Sequence, residues 1–148
     1  MSFDPRTAYR ESAAHDPNPV GLVILLYEQA IEDLRRARAA LQAGDVQGRT
    51  YEIGHAIAVV GQLQAVLDMD KGGEVARNLD RFYSLVLARV LEAQIKVSPE
   101  ILEQQIDLLL SLREAWVEVE RLALPTPAIP AVPAAPGERR SLGAEWRV

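Results

Sequence analysis

The chain has 148 residues, 49% hydrophobic and 25% charged, which suits one globular domain with a sizeable core and leaves little room for a second. A net charge of −5 argues against nucleic acid as the main partner, because holding phosphates needs clustered cations. With no cysteine, disulfides, thiol chemistry and thiolate metal sites are excluded.

No apolar run reaches the roughly 18 residues of a membrane span. Met1-Ser2-Phe3-Asp4-Pro5-Arg6 lacks the basic-then-apolar order of a signal peptide, so the expectation is a cytoplasmic protein. Residues 1–17 hold Pro5 and Pro17 with little periodicity and read as an N-terminal arm. Its large apolar groups are Phe3 and Tyr9.

Asn18-Pro19 is a helix start, with Asn as N-cap and Pro at the first helical position, where its missing N–H costs nothing. The helix should run to about Ala43, where Gly44 stops it. At about 100° per residue, Val20, Val23, Ile24, Tyr27, Ala30, Ile31 and Leu34 share one broad face. Leu22, Leu25 and Leu26 fall outside it, so the first two turns are apolar nearly all round. Such a helix is either buried on every side or left for something else to cover. Glu28, Glu32 and Asp33 read as a solvated face.

Asp45 caps a second helix, expected to reach about Met69. One apolar row is Ile53, Ile57, Val60 and Leu67; another is Ala56, Val59, Leu63 and Val66. Gly48, Gly54 and Gly61 weaken it, and either mark a close helix–helix approach or are simply tolerated. Asp70-Lys71-Gly72-Gly73 reads as a tight reversal. The third helix carries Val75, Leu79, Phe82, Tyr83, Val86, Val90 and Ala93 and ends near Lys96. Ser98-Pro99 repeats the cap-then-proline start for a fourth, to about Leu122. Leu102, Ile106, Leu109, Trp116 and Val119 line one of its faces, while Leu108, Leu109 and Leu110 point three ways. Pro125, Pro127, Pro130, Pro133 and Pro136 then predict an extended, disordered tail. Trp146 near its end is either a docking element or part of an idle tail.

These elements predict an all-α fold: an antiparallel up-down-up-down four-helix bundle over residues 18–122, an arm at 1–17 and a Pro/Ala-rich tail at 123–148. No catalytic chemistry is expected. Glu52-Ile53-Gly54-His55 has the Glu-x-x-His spacing once, where a two-metal carboxylate site needs it twice. No Gly-x-Ser-x-Gly occurs, and Gly72-Gly73 lacks the Lys-Ser/Thr of a phosphate loop. No cofactor, metal or catalytic residue is therefore assigned. What remains is apolar surface beyond the needs of a bundle, suited to a groove for another chain's helix or extended segment.

Several motifs, in order, resemble the flagellar export chaperone family FliS. Asp4-Pro5-Arg6-Thr7-Ala8-Tyr9 is similar to its N-terminal segment, and Pro19 to Ile31 to its first helix. Leu41-Gln42-Ala43-Gly44-Asp45 is similar to its first turn. Leu67-Asp68-Met69-Asp70-Lys71-Gly72-Gly73-Glu74-Val75-Ala76-Arg77-Asn78-Leu79, with Tyr83, and Leu112-Arg113-Glu114-Ala115-Trp116 complete the set. There are departures. Arg6 stands where the first of two N-terminal tyrosines is usual, and Ser84-Leu85-Val86 replaces a common Asp-Tyr-Met. The Pro-rich tail has no counterpart. The resemblance implies a cytoplasmic, non-enzymatic chaperone that wraps flagellin's C-terminal segment in apolar grooves and prevents premature polymerisation. The partner surface it implies is Tyr9, Leu22, Leu25, Leu26, Ile57 and Val60, with Tyr27, which also suits a packing role. Further partners would be the export apparatus or a co-chaperone, with a homodimer also compatible. The alternative reading is a helical-bundle adaptor or regulator for another amphipathic segment.

Overall fold

The computed structural model describes residues 19–123. The expectations placed on the arm, on Asn18 and on the tail lie outside those residues. Within them the chain forms four α-helices and no strand: α1 (Pro19–Gln42), α2 (Val46–Ala65), α3 (Met69–Lys96) and α4 (Pro99–Ala123).

Local chemistry sets each boundary. Gly44 takes φ 73°, a left-handed conformation that a Cβ would strain. This lets the Asp45 N–H return to Ala40 O at 2.8 Å and close the end of α1. Asp45 then caps α2, its carboxylate accepting from the Gly48 N–H at 2.9 Å. The chain turns at Val66–Asp68, earlier than the expected end of α2 near Met69. The cause is Asp68, whose carboxylate accepts from the Asp70 and Lys71 N–H groups at 3.2 and 2.9 Å and starts the next helix there. Gly72-Gly73 is therefore no reversal. Gly73, at φ 55° and ψ −128°, kinks α3 after its first turn. Val75 follows the kink and is exposed, not core. At the far end Val97 is left-handed, with φ and ψ both 53°. Ser98 caps α4 through its Oγ, which accepts from the Ile101 N–H at 3.2 Å.

α1 packs on α2 and α4, and α3 packs on the same two helices through smaller interfaces. The central core is filled by Leu26, Tyr27, Ala30 and Leu34 of α1 and Ile53, Val59, Val60 and Leu63 of α2. Tyr83, Val86 and Val90 of α3 and Leu102, Ile106 and Leu109 of α4 complete it. Each large side chain so buried contributes about 1.5–3 kcal/mol. Two tyrosines tie the diagonal. The Tyr27 and Tyr83 hydroxyls lie 2.8 Å apart, and their rings meet edge to face with centroids 6.1 Å apart.

The buried arc of α1 is wider than the expected stripe and rotated from it. Leu26, Asp33 and Ala37 are inside, whereas Val20 and Val23 are only half-buried. Contact with both α2 and α4 is the reason: a helix flanked on two sides needs more than one stripe of cover. The α2 glycines also resolve. A Cβ at Gly54 or Gly61 would meet nothing within 4 Å, so both are tolerated and neither marks a close approach. A Cβ at Gly48 would collide with the Asp45 carboxylate that caps the helix.

Polar contacts set register between helices. Arg113 of α4 donates to Glu28 of α1 at 2.6 and 2.9 Å, and Arg38 pairs with Glu103 at 3.0 Å. Gln64 of α2 reaches Asp80 and Ser84 of α3. Exposed ion pairs of this kind are worth about 1 kcal/mol or less each, so they orient the helices more than they stabilise them.

Candidate functional site

The residues expected to line a partner surface divide in two. Leu26 is 1% exposed and Leu22 6% exposed, and Tyr27 and Val60 are also buried. The expectation that Leu22 and Leu26 stand clear of the packed face is therefore corrected, for the reason given by the wide buried arc of α1. Tyr27 has the packing role, through its bond to Tyr83. Leu25 and Ile57 are half-buried. Ile57 packs against the edge of the core, and Leu25 stands off the central cluster. Tyr9 lies outside the described residues.

Asp33 is a second correction. It is 1% exposed, not part of a solvated face. Its carboxylate accepts from Gln29 Nε2 at 2.8 Å and faces His55 Nδ1 at 2.5 Å, across the α1–α2 seam. Burial pushes the carboxyl above the ordinary carboxylate range, and the His55 and Gln29 hydrogen bonds oppose that shift. Glu52 is also raised, by burial and then by the nearby Asp33 charge. Tyr51 stacks on His55 with ring centroids 6.3 Å apart. This group is a polar join between two helices. Among the described residues no cluster of His, Asp or Glu could hold a metal ion. Nor is any helix long and apolar enough to cross a membrane.

The residue spacing missed a cleft between α3 and α4. It encloses about 530 Å³ and is lined by Phe82, Leu85 and Val86 on one side and by Gln105 and Leu108 on the other, with Arg89 and Asp107 also lining it. Leu85 is 59% and Leu108 45% exposed, far from the fate expected of large apolar side chains in a saturated bundle. Gln105 is 2% exposed, and its Oε1 has no hydrogen-bond partner among the described residues. A buried carbonyl without a donor is an unmet demand in the fold. Two signals pointed here. Leu108 belongs to a leucine triplet that one face cannot absorb, and Leu85 lies off the Tyr83–Val86–Val90 face. Leu91 and Ile95, one turn apart on α3, add further exposed apolar surface.

The chain is similar to several flagellar secretion chaperones. Flagellar secretion chaperone FliSB of Pseudomonas aeruginosa is 36% identical over 106 residues, spanning 72% of this chain and 84% of that protein. Flagellar secretion chaperone FliS of Salmonella typhimurium is 34% identical over 110 residues, spanning 74% and 82%. The protein of the same name from Vibrio cholerae is 29% identical over 102 residues, 69% of this chain and 75% of its own. The family model described as flagellar protein FliS matches residues 2–123, so the chain belongs to the FliS family.

Proposed function

We propose that this protein is a cytoplasmic flagellar export chaperone that holds the C-terminal segment of flagellin and takes part in no catalytic step. Its four helices run up-down-up-down, the arm at 1–17 precedes them and the tail from 123 follows. The observation that carries the reading is the family match from residue 2 to 123, together with relatives named flagellar secretion chaperones. The short connections between helices that pack side by side support the antiparallel course. Half-buried Leu25 and Ile57, with the exposed leucines of α3 and α4, supply apolar surface for a segment that folds as it binds. Covering that segment would keep flagellin from polymerising before export.

The test is complex formation between the full chain and a peptide carrying the flagellin C-terminal segment. Binding at micromolar concentration is expected. Leu25→Asp should weaken it while far-ultraviolet circular dichroism keeps its helical signal, because Leu25 is not part of the central cluster. No binding by a well-folded chain would overturn the reading in favour of an adaptor for another segment. Unfolding by Leu25→Asp would show that Leu25 is a packing residue and move the surface elsewhere.

A further inference from the structure

We infer that the α3–α4 cleft is a receptor for the chain's own C-terminal segment, with Trp146 as the side chain that enters it. The cleft asks for a particular occupant. Phe82, Leu85, Val86 and Leu108 offer an apolar wall, and Gln105 Oε1 offers a buried acceptor with no donor. A matching group must be mostly apolar and carry one N–H. Indole is that group, since its Nε1–H donates and never accepts, and a buried Trp needs such a partner. The volume of about 530 Å³ falls within the about 300–1,000 Å³ common for sites that enclose a ligand.

Charge and tether length favour the same occupant. Asp107 lines the cleft and makes no ion pair among the described residues, while Arg147 follows Trp146 directly. Along α4, the distance from Ala123 back to Leu108 is about 22 Å at the helical rise. The segment from Ala123 to Trp146 carries five prolines and at about 3.1 Å per extended residue can reach about 70 Å, more than enough to span that distance. A tethered segment able to reach the cleft meets it at a raised effective concentration, so even weak docking is populated in one chain. The family match ends at residue 123, where α4 ends. This inference does not depend on flagellin being the client.

The experiment reads Trp146 in the full chain, as the difference in fluorescence between the unaltered protein and Trp146→Phe, which leaves Trp116 in place. Emission blue-shifted from that of the urea-unfolded chain, with several-fold weaker quenching by acrylamide, is expected. Leu108→Asp and Leu85→Asp, both at exposed positions, should abolish the shift and the protection with the helical signal unchanged. Gln105→Met should lower docking about fivefold, by removing the acceptor. Trp146 emission and quenching equal to those of the unfolded chain would overturn the inference. So would protection that survives the cleft substitutions, or protection that grows with protein concentration, which would mean docking on a second copy.

Discussion

The hydroxyl pair between Tyr27 and Tyr83 gives the sharpest test of how the bundle is held. The two oxygens are 2.8 Å apart and both rings are buried, and Trp116 also hydrogen-bonds the Tyr27 hydroxyl. Tyr83→Phe removes one oxygen and leaves the Tyr27 hydroxyl with Trp116 alone, a loss of about 1 kcal/mol. Tyr27→Phe should cost more, about 1–3 kcal/mol, because it orphans the Tyr83 hydroxyl and also removes the partner of Trp116. The double Phe variant removes both polar groups and keeps both rings, whose edge-to-face contact does not need the oxygens. It should therefore lose less than the sum of the two single losses, with a coupling energy of about 1 kcal/mol in a double-mutant cycle. Urea unfolding followed by circular dichroism measures all four chains, with equal m-values as the check on two-state behaviour. Losses that simply add would show that the bond is dispensable and that ring packing alone holds the diagonal. The same pair predicts an alkaline limb. Burial pushes both hydroxyls above the ordinary tyrosine range, so the folded chain keeps protons that the unfolded chain gives up above about pH 10. Stability should fall there, and fall less in the double variant.

Two further outcomes follow from single positions. Gly61→Ala should stabilise the protein by up to about 1 kcal/mol, because its Cβ enters open space on a regular helix. Gly73→Ala should destabilise it by about 1–3 kcal/mol, although its Cβ also meets nothing, because only the backbone conformation objects. Thermal unfolding of both variants should show shifts of opposite sign, and shifts of the same sign would sink the argument. Asp33→Asn should change the pH dependence. The folded state holds the Asp33 proton to a higher pH than the unfolded chain does, so this carboxyl's stabilising contribution is present below the ordinary carboxylate range. It is lost as pH rises through the raised folded value. The stability of the unaltered chain relative to the Asn variant should then decline as pH rises above about 4, measured by urea unfolding. A flat or rising difference would contradict the burial of a reluctant charge.

The four helices were legible because their ends are written in local chemistry. Asp45, Ser98-Pro99 and Gly44 each act within a few residues of themselves, and each does in the structure what its type suggests. Asp68 shows the limit of such reading. Asp68 and Gly72-Gly73 are both plausible breaks, and the carboxylate captured the N–H groups first. The helix faces were less legible, because periodicity ranks residues around one helix and does not say how many neighbours that helix has. Leu26 and Asp33 went inside since α1 is flanked by α2 and α4. For the same reason the cleft was hidden. Its walls come from two helices, and the unmet demand of Gln105 exists only once both are in place.

Val97, at the α3–α4 junction, bears on how the molecule comes apart. A β-branched side chain in the left-handed region is strained by about 1–3 kcal/mol, and the Val97 and Ser98 N–H groups both close the helix end on Ala93 O there. The packed helices on either side hold it there, like a latch kept closed by the doors. Force that pulls α3 away from α4 recovers that energy as the junction relaxes, whereas prising α2 from α1 recovers none of it.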